Sequence, residues 1–262
     1  MNTIPLTPGE LLYLSAWAEA GNVWGLENPF EELSPEKVSA EVARIQKALL
    51  GKGALLPCLD SGAETEEGLR GLLETCGAWE DVWILSTSGM EQRGEKLRYF
   101  LHGDSLVRYA FREGEAVLAP ASEDDMKAEA AALFGGEDTE EGQETILASA
   151  AKLRRIGGLS RARFLQELSA LGCGEDFARL IADGVQGKPE ICSLMHFRRE
   201  AGEERLVHRL VTLRLPGEGL IIRPETAEGR ESVRFSRLNA ALLEKALDEA
   251  LAAGMGEEAE TP

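Results

Sequence analysis

The clearest pattern in the chain is an alternation of apolar and polar residues between Pro189 and Pro224. Its longest run is Arg205–Leu215, where valines and leucines recur on one face. Glycine-containing turns at 200–203 and 216–219 interrupt the alternation, where a chain reversal favours positive φ. This period of two predicts an antiparallel meander of three strands, Ile191–Phe197, Arg205–Leu215 and Gly219–Arg223.

A similar pattern occurs earlier, between Asp81 and Pro120. Asp81–Ser86 matches the first strand of the later meander, and the hairpin Leu106–Pro120 matches Leu210–Pro224. The predicted helices are Glu36–Leu50 and Glu66–Cys76 before the first meander, Arg161–Leu171 and Glu175–Val185 before the second, and Ser122–Phe134 and Ser236–Ala253 after them. This repeated order predicts an internal duplication. A chance self-alignment of an α+β chain is the alternative.

The fold class predicted from this order is α+β, with a central antiparallel sheet built from two pseudo-twofold-related repeats and flanked by helical bundles. We predict an N-terminal half at 1–135 and a C-terminal half at 159–254. Between them, 136–158 combines the acidic segment Gly135–Gln143 as a linker with a connecting helix, Glu144–Ile156. Residues 255–262 are predicted to be a disordered tail.

Helix-start signals are strong near the N-terminus. Thr7-Pro8-Gly9-Glu10 predicts a capping box, and Ser34-Pro35 predicts a second helix start. That second helix should end at Gly51 or Gly53, before a short strand at Ala54–Leu56 and a polar turn at Asp60–Thr65. The loop Asn22–Phe30 carries apolar residues that we expect to pack against a core, with contact to a partner as the alternative.

Charge is unevenly distributed along the 262 residues. The net charge is −18; residues 1–150 hold 28 acidic and 11 basic side chains, whereas residues 151–262 hold 18 and 17. This balance argues against a nucleic-acid partner, because affinity for phosphate comes from Lys and Arg. It is compatible with a basic partner or simply with a solvated acidic surface.

The sequence contains little that indicates chemistry. The four cysteines form no C-x-x-C pair, which predicts buried reduced thiols and no zinc site. His196 and His208 lie on strands that could pair and so come close together, but no acid or thiol completes a triad with them. We therefore predict no catalytic residue, cofactor or metal, and, without a leader or a long apolar run, a cytoplasmic protein that does not insert into a membrane.

Three segments carry a resemblance to a known family: Leu6–Phe30, the helix end Ala48–Leu56, and the meander Tyr99–Pro120. Together they resemble the EspG/EsaE-type chaperones of type VII secretion systems, over about Leu6–Leu251. The resemblance implies a central antiparallel sheet, helical bundles packed on it, and a quasi-twofold relation between the halves.

The resemblance also implies a function. It indicates a cytosolic binding protein without a cofactor, which covers the apolar tip of a helical-hairpin secretion substrate and helps deliver it to the secretion ATPase. The implied contacts are the turn Ser88–Gly94, including Gly89 and Arg93, and the second-half helices. The candidate helix residues are Phe164, Leu168, Phe177 and Leu180, for which a core position is the alternative.

Two other classes stay open at this level. A winged-helix-like transcriptional regulator would use Glu36–Leu56 as its reading head, although that segment holds only four cations within the acidic half of the chain. An enzyme of unknown type would require a pocket in which two or more titratable side chains converge.

Overall fold

The structure, a computed structural model, describes residues 4–58, 62–88, 96–135, 144–227 and 229–252. Within these ranges the helices are α1 Pro8–Trp17, α2 Pro35–Lys52, α3 Glu67–Gly77, α4 Glu123–Phe134, α5 Ala150–Ile156, α6 Arg161–Ser169, α7 Glu175–Gln186 and α8 Ala240–Ala252. The strands are β1 Leu55–Cys58, β2 Gly62–Thr65, β3 Asp81–Ser88, β4 Lys96–His102, β5 Ser105–Arg112, β6 Glu115–Pro120, β7 Thr145–Ser149, β8 Glu190–Glu200, β9 Glu203–Leu215, β10 Glu218–Ala227 and β11 Arg230–Arg237.

Nine of these strands form one large antiparallel sheet. Its order is β6-β5-β4-β3-β8-β9-β10-β11-β7, and β1 pairs with β2 in a separate small sheet. The predicted α+β class with a central antiparallel sheet is therefore confirmed.

Each half of the chain contributes four consecutive strands to this order, β3–β6 and β8–β11. The sequence prediction ended the second meander at Arg223 and missed β11. As a result it matched the hairpin β5–β6 with β9–β10, whereas strand order places β5–β6 opposite β10–β11. All antiparallel hairpins have the same period-two alternation in sequence. Alternation alone therefore does not show which hairpin of one half corresponds to which hairpin of the other. The duplication itself stays a prediction.

The hairpin turns follow the predicted glycine chemistry. In the β5–β6 turn, Glu113 and Gly114 have φ of 53° and 87°, and in the β8–β9 turn, Ala201 and Gly202 have φ of 51° and 86°. Two successive positive φ values define the turn that suits two-residue hairpins, because its twist matches that of the strands.

Two local predictions are wrong. The predicted helix Glu144–Ile156 begins as strand β7, whose Ile146 and Ala148 point inward and pair with β11, and only then becomes α5. The predicted polar turn Asp60–Thr65 contains strand β2. In both places the segment gains pairing with a neighbouring strand, which local sequence does not reveal. The predicted linker at 136–143 and tail at 255–262 lie outside the described residues.

The helix-start signals are confirmed. The Thr7 backbone N–H donates to Glu10 Oε2 at 2.7 Å, and the Glu10 N–H donates to Thr7 Oγ1 at 3.3 Å, which completes the capping box of α1. Helix α2 begins at Pro35, continues through Gly51 and ends at Gly53, whose φ of 72° suits a glycine.

The chain forms two compact units. Unit 1 comprises Met1–Trp83, Lys96–Glu123 and Arg198–Glu204. In it, the apolar loop 22–30 packs against the core as predicted: Val23 is buried, Arg98 Nη1 donates to the Trp24 carbonyl at 2.9 Å, and Trp24 packs edge-on against Trp79. The loop is thus held by both apolar burial and backbone hydrogen bonds.

Unit 2 comprises Ile84–Glu95, Asp124–Phe197 and Arg205–Pro262. Helices α6 and α7 pack on strands β9 to β11 and β7 around a shared core. Helix α7 approaches the sheet closely at Gly184, where an added Cβ would lie 2.9 Å from Leu220 Cδ1 and 3.0 Å from Leu213 Cδ1. The core comprises Ile146, Ile156, Phe164, Leu168, Phe177, Ala178, Leu180, Ile181, Ala182, Leu213, Leu220 and Phe235.

Candidate partner-binding surface

The four helix residues predicted to contact a partner lie in the core of unit 2. Phe164, Leu168, Phe177 and Leu180 are each at most 3% exposed. The sequence alternative, a core position, is therefore the correct one for these side chains. Gly89 and Arg93 lie outside the described residues.

The physical reason is that α6 and α7 each have one apolar stripe, and the sheet already covers it. Within α7, Phe177, Ile181 and Gly184 recur at helical spacing and face the sheet. A stripe that packs on a core and a stripe that binds a partner have the same sequence pattern. Only the apolar residues that remain exposed are therefore free to contact a partner.

Exposed large apolar side chains of unit 2 occur on strands β8 and β9 and at the end of α7. Ile191 on β8 and Leu206 and Val207 on β9 are 39%, 46% and 40% exposed, and Val185 at the end of α7 is exposed as well. Only Gly187–Pro189 connect α7 to β8, so Val185 lies within about 20 Å of chain from Ile191. Leu147, on the edge strand β7, is a separate exposed residue.

One face of strands β8 and β9 is covered by helices. Cys192, Leu194 and His196 alternate on it and are buried. Cys192 Sγ and Arg214 Nη1 both donate to the Leu133 carbonyl in α4, at 3.3 Å and 3.2 Å. We call this the covered face; on β10, Arg223 reaches Glu249 of α8 at 2.7 Å.

His196 and His208 lie close together on the covered face, as the sequence predicts. The pKa of His208 is lowered, first because the ring is removed from water and then by the neighbouring His196, with a smaller effect of Arg223 and an opposing one of Glu249. This proximity also fixes the orientation of β9, because even-numbered positions such as His208 must face α4 and α8.

The odd-numbered positions therefore point the other way. On β8, Ser193 meets Ser86 of β3 with 2.7 Å between the two hydroxyl oxygens, which places β3 side chains on the same face. On β9, Leu213 of this face lies beneath α7 while Val207 is exposed. We call the part outside α7 the open face: Ile84, Ser86, Ile191, Ser193, Met195, Phe197, Val207 and Arg209.

The open face is chemically distinct from the rest of this acidic chain. It combines aliphatic and aromatic side chains with two serine hydroxyls and one arginine, and none of its eight positions is Asp or Glu. Within the described part of the chain, Arg209 has neither an ion pair nor a hydrogen bond. The surface thus offers apolar area and one uncommitted cation.

The end of β3 adjoins this surface. In an antiparallel pair, moving two residues from Ser86 and two from Ser193 in opposite directions places Ser88 beside Ile191. Gly89 and Arg93, the predicted turn residues, follow Ser88 directly in the chain.

Apolar side chains are also exposed in unit 1, but on different elements. They are Trp17 on α1, Leu50 on α2, Leu56 on β1 and Phe111 on β5, and Trp17 stacks on Tyr13 at 5.7 Å between ring centroids. Single exposed apolar residues are normal on a protein surface.

A cavity of about 540 Å³ lies between α4 and α8 in unit 2. Alanine and leucine side chains line most of it, and Lys127 and Asp248 form an ion pair of 2.9 Å at its rim. Its titratable lining residues are Lys127, Glu244 and Asp248.

The described ranges meet the requirements neither of a metal site nor of a reactive thiol. They contain no group of three or more His, Cys, Asp or Glu side chains that could hold a metal ion. Burial raises the pKa of the thiols of Cys76, Cys192 and Cys173, which keeps them protonated. Cys76 and Cys192 are buried as predicted, whereas Cys58 and Cys173 are only partly so. Among the helices described, none is long and apolar enough to cross a membrane.

Comparison with known proteins gives a match at the level of the fold. No protein-family model and no curated protein matches the sequence. Among solved structures, the chain is similar to the type VII secretion system chaperone EspG5 of Mycobacterium tuberculosis, solved in complex with the PE25–PPE41 dimer. The TM-score is 0.73 at 10% sequence identity, and the match covers 98% of each chain. The resemblance indicated by the sequence is thus confirmed for the fold, over essentially the whole chain.

Proposed function

We propose that this protein is a secretion chaperone that binds the apolar tip of a helical-hairpin substrate of a type VII secretion system through the open face. The observation that carries the proposal is an uncovered, acid-free apolar surface in a fold shared end to end with a chaperone that was solved in complex with the PE25–PPE41 dimer.

The physical logic is the protection of apolar surface. A helical hairpin whose tip is apolar self-associates in water, and covering that tip removes the driving force for aggregation. The open face supplies aliphatic and aromatic groups at strand spacing, held rigid by pairing within the sheet. Because the covering helices α4 and α8 occupy the opposite face, a partner can dock without disturbing the core.

The proposed contact differs from the sequence expectation in its residues. It replaces the buried side chains of α6 and α7 with exposed ones, chiefly Ile191, Val207 and Val185. We keep the predicted turn Ser88–Gly94, with Gly89 and Arg93, as part of the proposed contact, because Ser88 adjoins Ile191. Delivery of the bound substrate to the secretion ATPase in the cytosol is a further step of the same proposal.

The proposal is tested by co-expression with a helical-hairpin protein encoded beside this chain. The two proteins should co-elute as a stoichiometric complex in size-exclusion chromatography. Val207→Asp and Ile191→Asp should each weaken binding by at least about tenfold, because the partner would leave the introduced charge desolvated and unpaired.

Leu56→Asp is the matched control, since Leu56 is equally exposed but lies on β1 of unit 1. It should bind like the wild type, and circular dichroism should show all three variants folded. A folded wild type that binds no neighbouring helical protein would overturn the proposed function. Variants at Ile191 and Val207 that bind normally would show that the contact lies elsewhere.

The regulator alternative has a simple test of its own. Helix α2 does lead into the hairpin β1–β2, but it lies in the half of the chain that carries 28 acidic side chains against 11 basic ones. Binding to a random DNA duplex should be undetectable at physiological salt in a fluorescence titration.

A further inference from the structure

We propose that strand β7 is a self-association edge, to which a second copy of this chain adds its own β7 in antiparallel orientation, with Leu147 opposite Leu147 of the second copy. This contact lies at a different part of the sheet from the open face and does not depend on the proposed function. Its basis is the contrast between the two edge strands of the large sheet, β6 and β7.

Edge strand β6 is protected against pairing. It begins with Glu115 and ends with Pro120, and charged residues and prolines at an edge discourage the addition of a strand. Leu6 also pairs with Ala116 of β6 through two backbone hydrogen bonds, of 2.8 Å and 2.6 Å. A further strand is therefore disfavoured at this edge.

Edge strand β7 has no such protection in its sequence. It reads Thr-Ile-Leu-Ala-Ser, without a charged residue or a proline, and Leu147 at its centre is 40% exposed. Helix α5, which follows β7, turns back over the sheet: Ile156 lies in the core of unit 2, and Arg154 reaches Glu231 of β11 at 3.3 Å. This helix therefore leaves the outer edge of β7 open.

The outward backbone groups of β7 follow from its pairing with β11. The Arg237 N–H donates to the Glu144 carbonyl at 3.3 Å, which marks a hydrogen-bonded pair where β7 begins. Such pairs recur at every second residue of an antiparallel ladder, so Ile146 and Ala148 also bond to β11. Three N–H groups therefore point away from the sheet and have no partner within the described part of the chain, those of Thr145, Leu147 and Ser149.

The sequence of β7 is nearly symmetric about Leu147. In an antiparallel pair with Leu147 opposite itself, the hydroxyl residues Thr145 and Ser149 lie opposite each other. The larger Ile146 lies opposite the smaller Ala148. The two Leu147 residues then form a hydrogen-bonded pair on a twofold axis, with Cα atoms about 5.5 Å apart. This self-complementarity favours a second copy of this chain over an unrelated strand.

Charge and size indicate a weak dimer. Residues 151–262 hold 18 acidic and 17 basic side chains, so the part of the chain that follows β7 lacks the acidic excess of the part before it. Two five-residue strands form a small contact, and interfaces below about 1,200 Å² are typical of weak complexes. Strands β10 and β11 separate β7 from β9, so a copy at this edge leaves the open face accessible.

Sedimentation velocity of the full chain tests the dimer. The wild type should be monomeric at about 5 μM and mostly dimeric at about 500 μM, as expected for a dissociation constant on the order of 50 μM.

Charges placed at Leu147 test the twofold pairing. Leu147→Lys alone and Leu147→Glu alone should each lose the dimer, because like charges directly opposite each other repel. An equimolar mixture of the two variants should restore it, since residue 147 of one copy then meets the opposite charge on the other. Leu56→Lys is the matched control, because Leu56 is an equally exposed leucine on β1, and it should dimerise like the wild type.

Leu147→Pro separates backbone pairing from side-chain contact. The N–H of Leu147 points away from β11, so a proline there is compatible with the folded monomer but removes a central hydrogen bond of the proposed pair. Circular dichroism should show this variant folded, and it should stay monomeric at about 500 μM. Leu147→Val keeps the N–H and should still dimerise.

Four results would overturn the inference. They are a wild type that stays monomeric at 500 μM, a dimer that persists in both Leu147→Lys and Leu147→Glu, a mixture of these two variants that stays monomeric, and a folded Leu147→Pro variant that dimerises like the wild type. If the wild type is monomeric and its Leu147 amide becomes protected from hydrogen exchange only in the complex with the helical-hairpin protein, the edge belongs to that partner instead.

Discussion

Two residues of strand β9, Leu213 and Val207, lie on the same face of the sheet but differ in what covers them. Leu213, near the C-terminal end, is 6% exposed beneath α7, whereas Val207, six residues earlier on the same face, is 40% exposed. Both are aliphatic and both fit the same alternation. Alternation therefore assigns a residue to a face, while the helices that reach that face decide whether the residue is core or surface.

The largest expected effect contrasts a charge at each end of β9. Leu213→Asp should destabilise the protein by about 4 kcal/mol or more, because it buries an unpaired carboxylate beneath α7. Val207→Asp should change the free energy of unfolding by at most about 0.5 kcal/mol, because the new charge remains solvated. Urea denaturation followed by circular dichroism measures both. Equal destabilisation by the two variants would mean that Val207 is as buried as Leu213.

A second contrast removes volume instead of adding charge. Phe164→Ala should cost about 3–5 kcal/mol, since Phe164 is fully buried in the core of unit 2. Ile191→Ala, on the open face, should cost less than about 1 kcal/mol. The same denaturation experiment reports both values. If Phe164→Ala were neutral in stability yet abolished partner binding, the original interface prediction for α6 would be restored.

The sequence predicted which residues of β9 share a face and where the strand turns. It could not predict which end α7 would cover, because Phe177, Ile181 and Gly184 form an apolar stripe that suits a sheet or a partner equally well. The close approach at Gly184 becomes visible only when Leu213 and Leu220 are seen beneath it. For this reason the sequence favours Phe164 and Phe177 as contacts and does not indicate Val207.

The open face was missed for a related reason. Its residues come from three strands, and Ser86 and Ser193 meet although they are 107 positions apart in the chain. No local signal joins them. The uncommitted state of Arg209 is likewise a property of the folded chain, since the sequence contains acids enough to pair every cation.

A third prediction concerns His208. Its side chain lies on the covered face, whereas those of its chain neighbours Val207 and Arg209 lie on the open face. Its pKa is lowered in the folded protein, so the unfolded chain binds more protons as the pH falls through about 6.5. Stability should therefore be greatest above that value and decline between pH 7 and pH 5.5. Each pKa unit corresponds to about 1.4 kcal/mol, reduced here because the ring is only partly buried.

His208→Gln isolates this effect from the other titrating groups. The variant should show a flatter dependence of the unfolding free energy on pH than the wild type, when both are measured by urea denaturation at half-unit intervals. Identical pH profiles would show that His208 is not held neutral beside His196, Arg223 and Glu249.

The smallest expected effect lies in the turn that precedes β9. Ala201 adopts a φ of 51°, which disfavours a side chain, so Ala201→Gly should stabilise the protein by about 0.5 kcal/mol after the entropy of glycine is deducted. Gly202→Ala, at a φ of 86°, should destabilise it by about 1 kcal/mol. Thermal denaturation compares the two, and the reverse order of stability would contradict the turn geometry.

The most direct test of the docking surface is hydroxyl-radical footprinting of the free protein and of its complex with the co-expressed helical-hairpin protein. Met195 and Phe197 on the open face and Trp17 in unit 1 are readily oxidised side chains with access to solvent. If the open face is the docking surface, oxidation of Met195 and Phe197 should fall several-fold in the complex while that of Trp17 is unchanged. Unaltered oxidation of Met195 and Phe197, with protection of Trp17, would contradict docking at the open face.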